Sequence, residues 1–319
     1  MRVNISLITP AKKQSRAGNR TTAVRWARIL RELGHRVGVA VDYDGKPADL
    51  MVALHAWRSA ESVQAFRRRY PDRPLIVALT GTDVYRFLAS DPETTKGSME
   101  MADVLVGLHD LVHQAIPRRF GEKLEVIYQS ALPLSRPRSP SRRHFDICVI
   151  GHLRDEKDSL RAALAARELP SDSRIRVIHL GKAHDGEWAE RARAEMTRNA
   201  RYLWRGEVPG WAVRKEFTKT RLMVLSSVME GGANVVSEAV VAGVPVIASD
   251  IPGSIGLLGG DYPGYYPAGR TEALTAMLSQ AETDPGFLRQ LTAHCANRAP
   301  LFTPERERES WRSLLSRFA

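Results

Sequence analysis

Glu230-Gly231-Gly232-Ala233-Asn234-Val235-Val236-Ser237-Glu238, followed by Ala239 to Gly243 and then Pro245-Val246-Ile247-Ala248, is the stretch from which the fold is read. The apolar run Leu222 to Leu225 ahead of it reads as a strand, and the glycines read as a turn. Val235 to Ala242 then has a helical period, and Val244 to Ala248 is strand again. Two strands joined through a helix in this way are neighbours in a parallel sheet. Free amides at the helix start, with the helix dipole behind them, suit a diphosphate. Gly231, Gly232 and Ala233 let the backbone come close to such a ligand, and Asn234, Val235 and Val236 open the helix. Glu238, one turn in, is placed to accept from ribose hydroxyls, and Glu230 to hold hydroxyls of a sugar. Spacing alone also fits a helix cap flanked by two solvated glutamates.

The same alternation runs outward in both directions. Before it lie strands at Val3 to Ile8, Val37 to Val41, Leu50 to Leu54, Leu75 to Leu79, Val104 to Val106 and Leu124 to Tyr128, with helices at Thr21 to Leu33 and Ser62 to Arg69. The segment Ser135 to Arg143, rich in proline, serine and arginine, reads as a linker. The pattern then restarts with strands at Phe145 to Ile150 and Ile175 to Leu180, and helices at Asp158 to Arg167 and Ala189 to Asn199. Glu305 to Phe318 reads as a last amphipathic helix with Trp311, Leu314, Leu315 and Phe318 on one face. The expected architecture is α/β, two Rossmann-like doubly wound domains facing a central cleft. Residues 1–134 form the first, 135–143 the linker and 144–300 the second; 301–319 is a helix packing back toward the first.

The 319 residues, 43% hydrophobic and 26% charged, exclude wholesale disorder. No apolar run approaches membrane-spanning length, and the start lacks the features of a secretory signal, so a soluble cytoplasmic protein is expected. Cys148 and Cys295 have no metal-ligand spacing. Net charge is +11. Before His144 there are 24 basic and 14 acidic residues, so the first half carries almost all the excess and is the half expected to meet an anion.

Further candidates sit where strands end. Lys12, Lys13, Arg16 and Arg20 surround the turn Ser15-Arg16-Ala17-Gly18-Asn19-Arg20 before a helix, again suited to an anion. His55 follows the strand Leu50 to Leu54, and Thr80-Gly81-Thr82-Asp83 follows the next one. Gly151-His152-Leu153-Arg154-Asp155-Glu156-Lys157-Asp158 follows the first strand of the second half. Spacing alone leaves that last cluster balanced between a phosphate site and a solvated helix start. Asp42-Tyr43-Asp44 has the form of a metal-binding Asp-x-Asp but reads as a turn, so no metal and no cofactor are expected.

Two glutamates separated by seven residues around a turn and helix, then Gly243-Val244-Pro245-Val246-Ile247-Ala248, resemble the signature of the two-domain (GT-B type) nucleotide-sugar glycosyltransferases. Gly151 to Asp158 resembles their Gly-Arg-Leu, two variable residues, Glu-Lys-Gly segment. There the resemblance implies that Lys157 neutralises the donor diphosphate, with His152 at the arginine position and Arg154 supplying charge nearby. Thr80 stands where a His-Gly-x-Asp segment has its histidine. Thr9-Pro10, Ser15 to Arg20, Thr22 to Leu30, Leu33 to Val37, Ala48 to Leu50, Leu54 to Ala56, Leu79 to Tyr85 and Val126 to Ala131 resemble the selenosugar synthases of selenoneine biosynthesis.

The resemblance implies that UDP-N-acetylglucosamine or UDP-glucose gives its sugar to the selenium of selenophosphate, a polyanion suited to the basic half. His55, Lys157 and Glu230 are the implied catalytic residues. Gly18, Asn19, His152, Arg154, Lys157, Gly231 to Val236 and Glu238 are assigned to the donor. Arg16, Arg20, Thr80, Gly81, Thr82 and Asp83 are assigned to the acceptor. Two alternatives remain: another small acceptor, or a basic nucleic-acid-binding or scaffold protein. The second lacks basic–aromatic interleaving and any nucleic-acid motif.

Overall fold

Long apolar runs with no polar alternation call for strands buried on both faces. In the computed structural model of the chain, which describes residues 2–15 and 17–318, those runs build two separate sheets. The chain divides into two units: one takes residues up to Ser130, the segment Glu230–Asn234 and those from Leu301 onward; the other takes Ala131–Met229 and Val235–Pro300.

In the first unit six parallel strands are β1 (Asn4–Ile8), β2 (Arg36–Ala40), β3 (Leu50–Leu54), β4 (Leu75–Ala78), β5 (Val104–Gly107) and β6 (Leu124–Val126), in the order β2-β1-β3-β4-β5-β6. β3, β4 and β5 are buried at every residue, while edge strand β2 exposes Arg36 and Gly38. Helix α1 (Gly18–Glu32) lays Ala23, Trp26, Ala27 and Leu30 on one face of the sheet. It stops where Gly34 takes φ 96°, a left-handed turn open to glycine. On the other face, α2 (Ala60–Arg69) brings Val63 and Phe66 into a second core that also holds Met99. A π-turn over Asp83–Phe87 leads into α3 (Leu88–Ser90) and α4 (Pro92–Met101).

The second unit has β7 (Phe145–Ile150), β8 (Ile175–Leu180), β9 (Tyr202–Trp204), β10 (Leu222–Leu225), β11 (Val246–Ser249) and β12 (Tyr265–Tyr266), in the order β12-β11-β10-β7-β8-β9. Its helices are α5 (Arg161–Arg167), α6 (Gly186–Arg198), α7 (Gly210–Lys219), α8 (Asn234–Val241), α9 (Pro252–Leu258), α10 (Thr271–Thr283) and α11 (Pro285–Arg298). The winding reverses between β7 and β10 here, and between β1 and β3 in the first unit. Loops leaving the carboxyl ends of such a pair diverge and open a crevice for a ligand.

The last helix, α12 (Pro304–Ser316), belongs to the first unit and packs on α1. Trp311 meets Trp26 edge to face at 4.8 Å between centroids, and Leu314 and Leu315 join the same core. Among the described residues no helix is long and apolar enough to cross a membrane.

Among the boundaries that differ from the sequence reading, two have a clear physical cause. The helix expected from Asp158 is a short 3-10 turn, Asp155–Lys157, then a break, then α5. The break is Asp158 itself, at φ 43°. Aspartate tolerates that left-handed state better than most residues, and here its carboxylate holds Arg161 Nε at 2.7 Å. The strand expected from Val244 starts at Val246. Gly243 (φ 68°) and Val244 close α8 instead, the Val244 amide donating back to the Ala239 carbonyl at 2.8 Å.

Candidate functional site

In the second unit the carboxyl ends of β7 and β10 frame a recess at the reversal point. Ile150 and Gly151 line one side, Leu225, Ser226 and Ser227 the other, with Lys157, Ser159 and His179 around them. The stem of Lys157 passes over Gly151: a methyl on that glycine would lie 3.9 Å from Lys157 Cδ. The turn that carries Lys157 is tied down to the segment after β10. Ser226 Oγ donates to the Lys157 carbonyl (3.0 Å), and the Val228 amide to the Glu156 carbonyl (2.9 Å). Lys157 is thereby fixed beside the stretch that leads into Glu230. The Arg154 amide is held by Ser159 Oγ at 3.0 Å, and its guanidinium lies 3.9 Å from Glu156.

His152 takes a different part from the arginine whose place it fills. Its Nδ1 accepts from the Lys182 amide at 3.1 Å, and burial, then the charge of Arg154, lowers its pKa. It is neutral at pH 7 and brings no charge to a phosphate. The cations of this cluster are Lys157 and Arg154.

His179, absent from the sequence reading, underlies the same loop. The Gly151 carbonyl can only accept, so Nε2 carries the proton and donates to it (3.2 Å), while Nδ1 accepts from the Tyr202 hydroxyl (2.9 Å). Burial brings its pKa down to about 4. Gly181 completes the support, since a methyl there would lie 1.8 Å from the Gly151 oxygen.

In the first unit His55 sits just past β3 with φ 76°. Its Nδ1 accepts from the Arg58 amide at 3.1 Å, which leaves the proton on Nε2 facing Thr82 Oγ1 at 2.9 Å. Burial lowers its pKa, outweighing the opposite pull of Asp83. The Asp83 carboxylate, fully buried, accepts from the amides of Thr80, Gly81, Val84 and Ala56 at 2.7–3.1 Å. Expected as an acceptor contact, it has both oxygens occupied and instead shapes the turn. Thr80 Oγ1 is buried without a hydrogen-bond partner among the described residues.

The glycine turn 230–234 packs into this unit, and the packing gives its glycines a reason the sequence did not reveal. A methyl on Gly231 would come within 2.2 Å of the Gly81 amide nitrogen and 2.3 Å of the Thr80 carbonyl carbon. One on Gly232, at φ 149°, would meet Leu108 Cβ at 2.4 Å. The two turns touch backbone to backbone. Glu230 and Ala233 are buried, and Asn234 is half-buried. Beyond them, in the second unit, Val236 is buried while Val235 and Glu238 are half-exposed on α8.

Gly18, Asn19 and Arg20 open α1, whose first turn has no acidic residue and no side-chain cap. Lys12 and Lys13 are exposed; Arg16 lies outside the described residues. Sequence reasoning also passed over His109, whose Nδ1 accepts from the Leu111 amide while Nε2 meets the Tyr85 hydroxyl at 3.0 Å. Arg25 and Glu307 were missed as well. Glu307 stands four residues before Trp311 on an apolar stripe, and a charge on such a stripe was the available signal. Among the described residues, no three His, Cys, Asp or Glu side chains gather as a metal-binding group.

The model of the family described as glycosyl transferases group 1 matches residues 135–300. HepE of Anabaena, solved with UDP and glucose, superposes with a TM-score of 0.79 at 15% identity, covering 99% of this chain and 100% of that one. Sucrose-phosphate synthase of Thermosynechococcus elongatus gives 0.78 at 15% identity, covering 99% of both. The trehalose 6-phosphate synthase of Burkholderia multivorans gives 0.70 at 12%, covering 86% of this chain and 71% of that one. These likenesses carry the GT-B type of fold. No curated protein sequence matches the chain.

Proposed function

The chain belongs to the glycosyl transferases group 1 family, and from that premise we propose that it moves the sugar of UDP-N-acetylglucosamine or UDP-glucose onto the selenium of selenophosphate in the cytoplasm. The observation that carries the donor half is a glycine-led helix start directly after β10, at the winding reversal, with Lys157 fixed beside that strand. Helix amides and a lysine there suit a diphosphate. HepE in its complexes with UDP and UDP-glucose supports uridine as the nucleoside. The acceptor half rests on the resemblance of the N-terminal stretches to selenosugar synthases and on their basic balance.

In the reaction selenium attacks the anomeric carbon as the carbon–oxygen bond to UDP breaks, and water then takes the phosphoryl group from selenium. The products are a 1-selenosugar, UDP and phosphate. Lys157, Arg154 and the amides from Gly231 to Val236 stabilise charge on the departing UDP. Glu238 holds the ribose, Glu230 the sugar, and Gly18 and Asn19 complete the donor contacts. Arg16, Arg20, the orphan hydroxyl of Thr80, Gly81 and Thr82 hold the acceptor, on a turn that Asp83 shapes. His55, neutral, contacts the sugar or orients the water. Selenium in selenophosphate is already a soft anionic nucleophile, so positioning outweighs base catalysis.

Incubation with UDP-sugar and selenophosphate, read by UDP release and mass of the selenosugar, tests the reading. Turnover should persist in EDTA, and Lys157→Ala and Glu238→Ala should each lower kcat/KM by about a hundredfold. Turnover with another acceptor only overturns the selenium assignment. Unchanged rates in both variants overturn the donor site.

A further inference from the structure

One buried charge pair in the first unit serves neither the sheet nor any ligand contact named so far. Glu307, on α12, has a fully buried side chain. Its carboxylate accepts from Arg25 Nε at 2.9 and 3.1 Å, from Trp26 Nε1 at 2.7 Å, and from the amide and hydroxyl of Ser130. Arg25, on α1, is itself only 11% exposed. With Nε spent on Glu307, Arg25 turns Nη1 to Asn234 Oδ1 at 2.8 Å.

Asn234 is the first residue of α8, and its amide is fixed at both ends. Oδ1 takes the Arg25 proton, and Nδ2 donates to Thr22 Oγ1 at 3.3 Å. The Thr22 hydroxyl passes its own proton to the Gln129 side-chain oxygen (2.6 Å), whose amide nitrogen donates to the Gly232 carbonyl (2.7 Å). Two residues of the glycine turn are therefore held by side chains from α1, from the end of the first sheet and, through Arg25, from α12.

We propose that Arg25 is a positioning residue for the diphosphate-binding start of α8, and that Glu307 is the fixed acceptor that aims it. This rests on the donor reading above. A glycine pair is among the most mobile pieces of backbone a chain can carry, and a ligand that had to order it would lose affinity accordingly. Arg25 removes that cost beforehand by pinning Asn234, while Gln129 pins Gly232. The neutralising Glu307 keeps the arginine from swinging out to meet the phosphates itself. Arg25 acts on UDP through Asn234, without touching it.

Removing Arg25 alone would strand the Glu307 carboxylate in the core, so a loss of fold would hide the effect. The paired variant Arg25→Met/Glu307→Gln removes both charges together; the glutamine oxygen can still accept from Trp26 Nε1, and its NH2 can donate to the Ser130 hydroxyl. Arg28→Met, one turn position further along α1 at an exposed ion pair with Glu32, is the charge-matched control. In calorimetric titration with UDP the paired variant should bind about tenfold more weakly and the control as the wild type. Adding Asn234→Ala to the paired variant should bring less than its full separate loss, because the two changes share the Arg25–Asn234 link and differ only in the Thr22 contact.

Amide exchange across 230–236 should quicken in the paired variant and stay put in the control. Wild-type UDP affinity in the paired variant, a loss from Asn234→Ala that adds in full, or unchanged exchange would each overturn the positioning role. A wild-type protein that binds no UDP would sink the donor reading instead, and exchange alone would then judge whether Arg25 orders the turn.

Discussion

Gly231 and Gly18 look equivalent in the sequence, each in a turn ahead of a helix, and the structure separates them. A methyl on Gly18 would rest 3.7 Å from Asn234 Nδ2, an ordinary contact, whereas on Gly231 it would drive into the backbone of Thr80 and Gly81. Backbone cannot rotate out of the way as a side chain can. Gly231→Ala should therefore cost about 1–3 kcal/mol in urea unfolding and depress turnover, and Gly18→Ala should leave stability within about 0.5 kcal/mol of wild type. The reading of glycine as room for a phosphate was incomplete for a physical reason: a chain's partners in space are not written beside it. The loop after β7 was legible because its parts are close in sequence, the Lys157 stem crossing Gly151 six residues before it. Arg25 was not, because its partner Glu307 is 282 residues away.

At the scale of elements, periodicity served the buried strands best. β3, β4, β5 and β10 are apolar at each position and were placed within a residue of their ends. β9, three residues long with Leu203 exposed at the sheet's edge, carries too little pattern to read. α4, with threonines, glycine and serine and a buried face of only Thr95, Ser98 and Met99, was equally silent. α12 announced itself through Trp311, Leu314 and Leu315, and its contact with Trp26 makes it part of the first core. Trp311→Ala should cost about 3–5 kcal/mol, seen as a lower urea midpoint in the transition of that unit. An equal substitution at Trp211, 68% exposed, should leave the midpoint in place.

For the molecule as a whole, four histidines, three of them buried and His152 half-buried, shape the response to acid. His109 and His179 have pKa values pushed down to about 4 by burial, and those of His55 and His152 are lowered by the same cause. Each stays neutral in the fold but titrates near 6.5 once unfolded, so below that pH the unfolded chain binds more protons. Stability is fully present above about pH 6.5 and is lost as the pH falls toward 4. Urea midpoints measured from pH 8 to pH 4.5 should fall below about 6.5, and His179→Gln should flatten the decline. Fold class was legible at this scale because two runs of alternating strand and helix leave few other ways to bury so many apolar strands.

The first unit is assembled from three separated lengths of chain. During translation Trp26 emerges 281 residues ahead of Glu307, the acid that takes its indole proton. Until α12 leaves the ribosome, the tryptophan face of α1 has nothing to close it, although its sheet can already pair. The nascent protein therefore carries an open apolar surface while the residues between α1 and α12 are made, and α12 seals a core begun long before it.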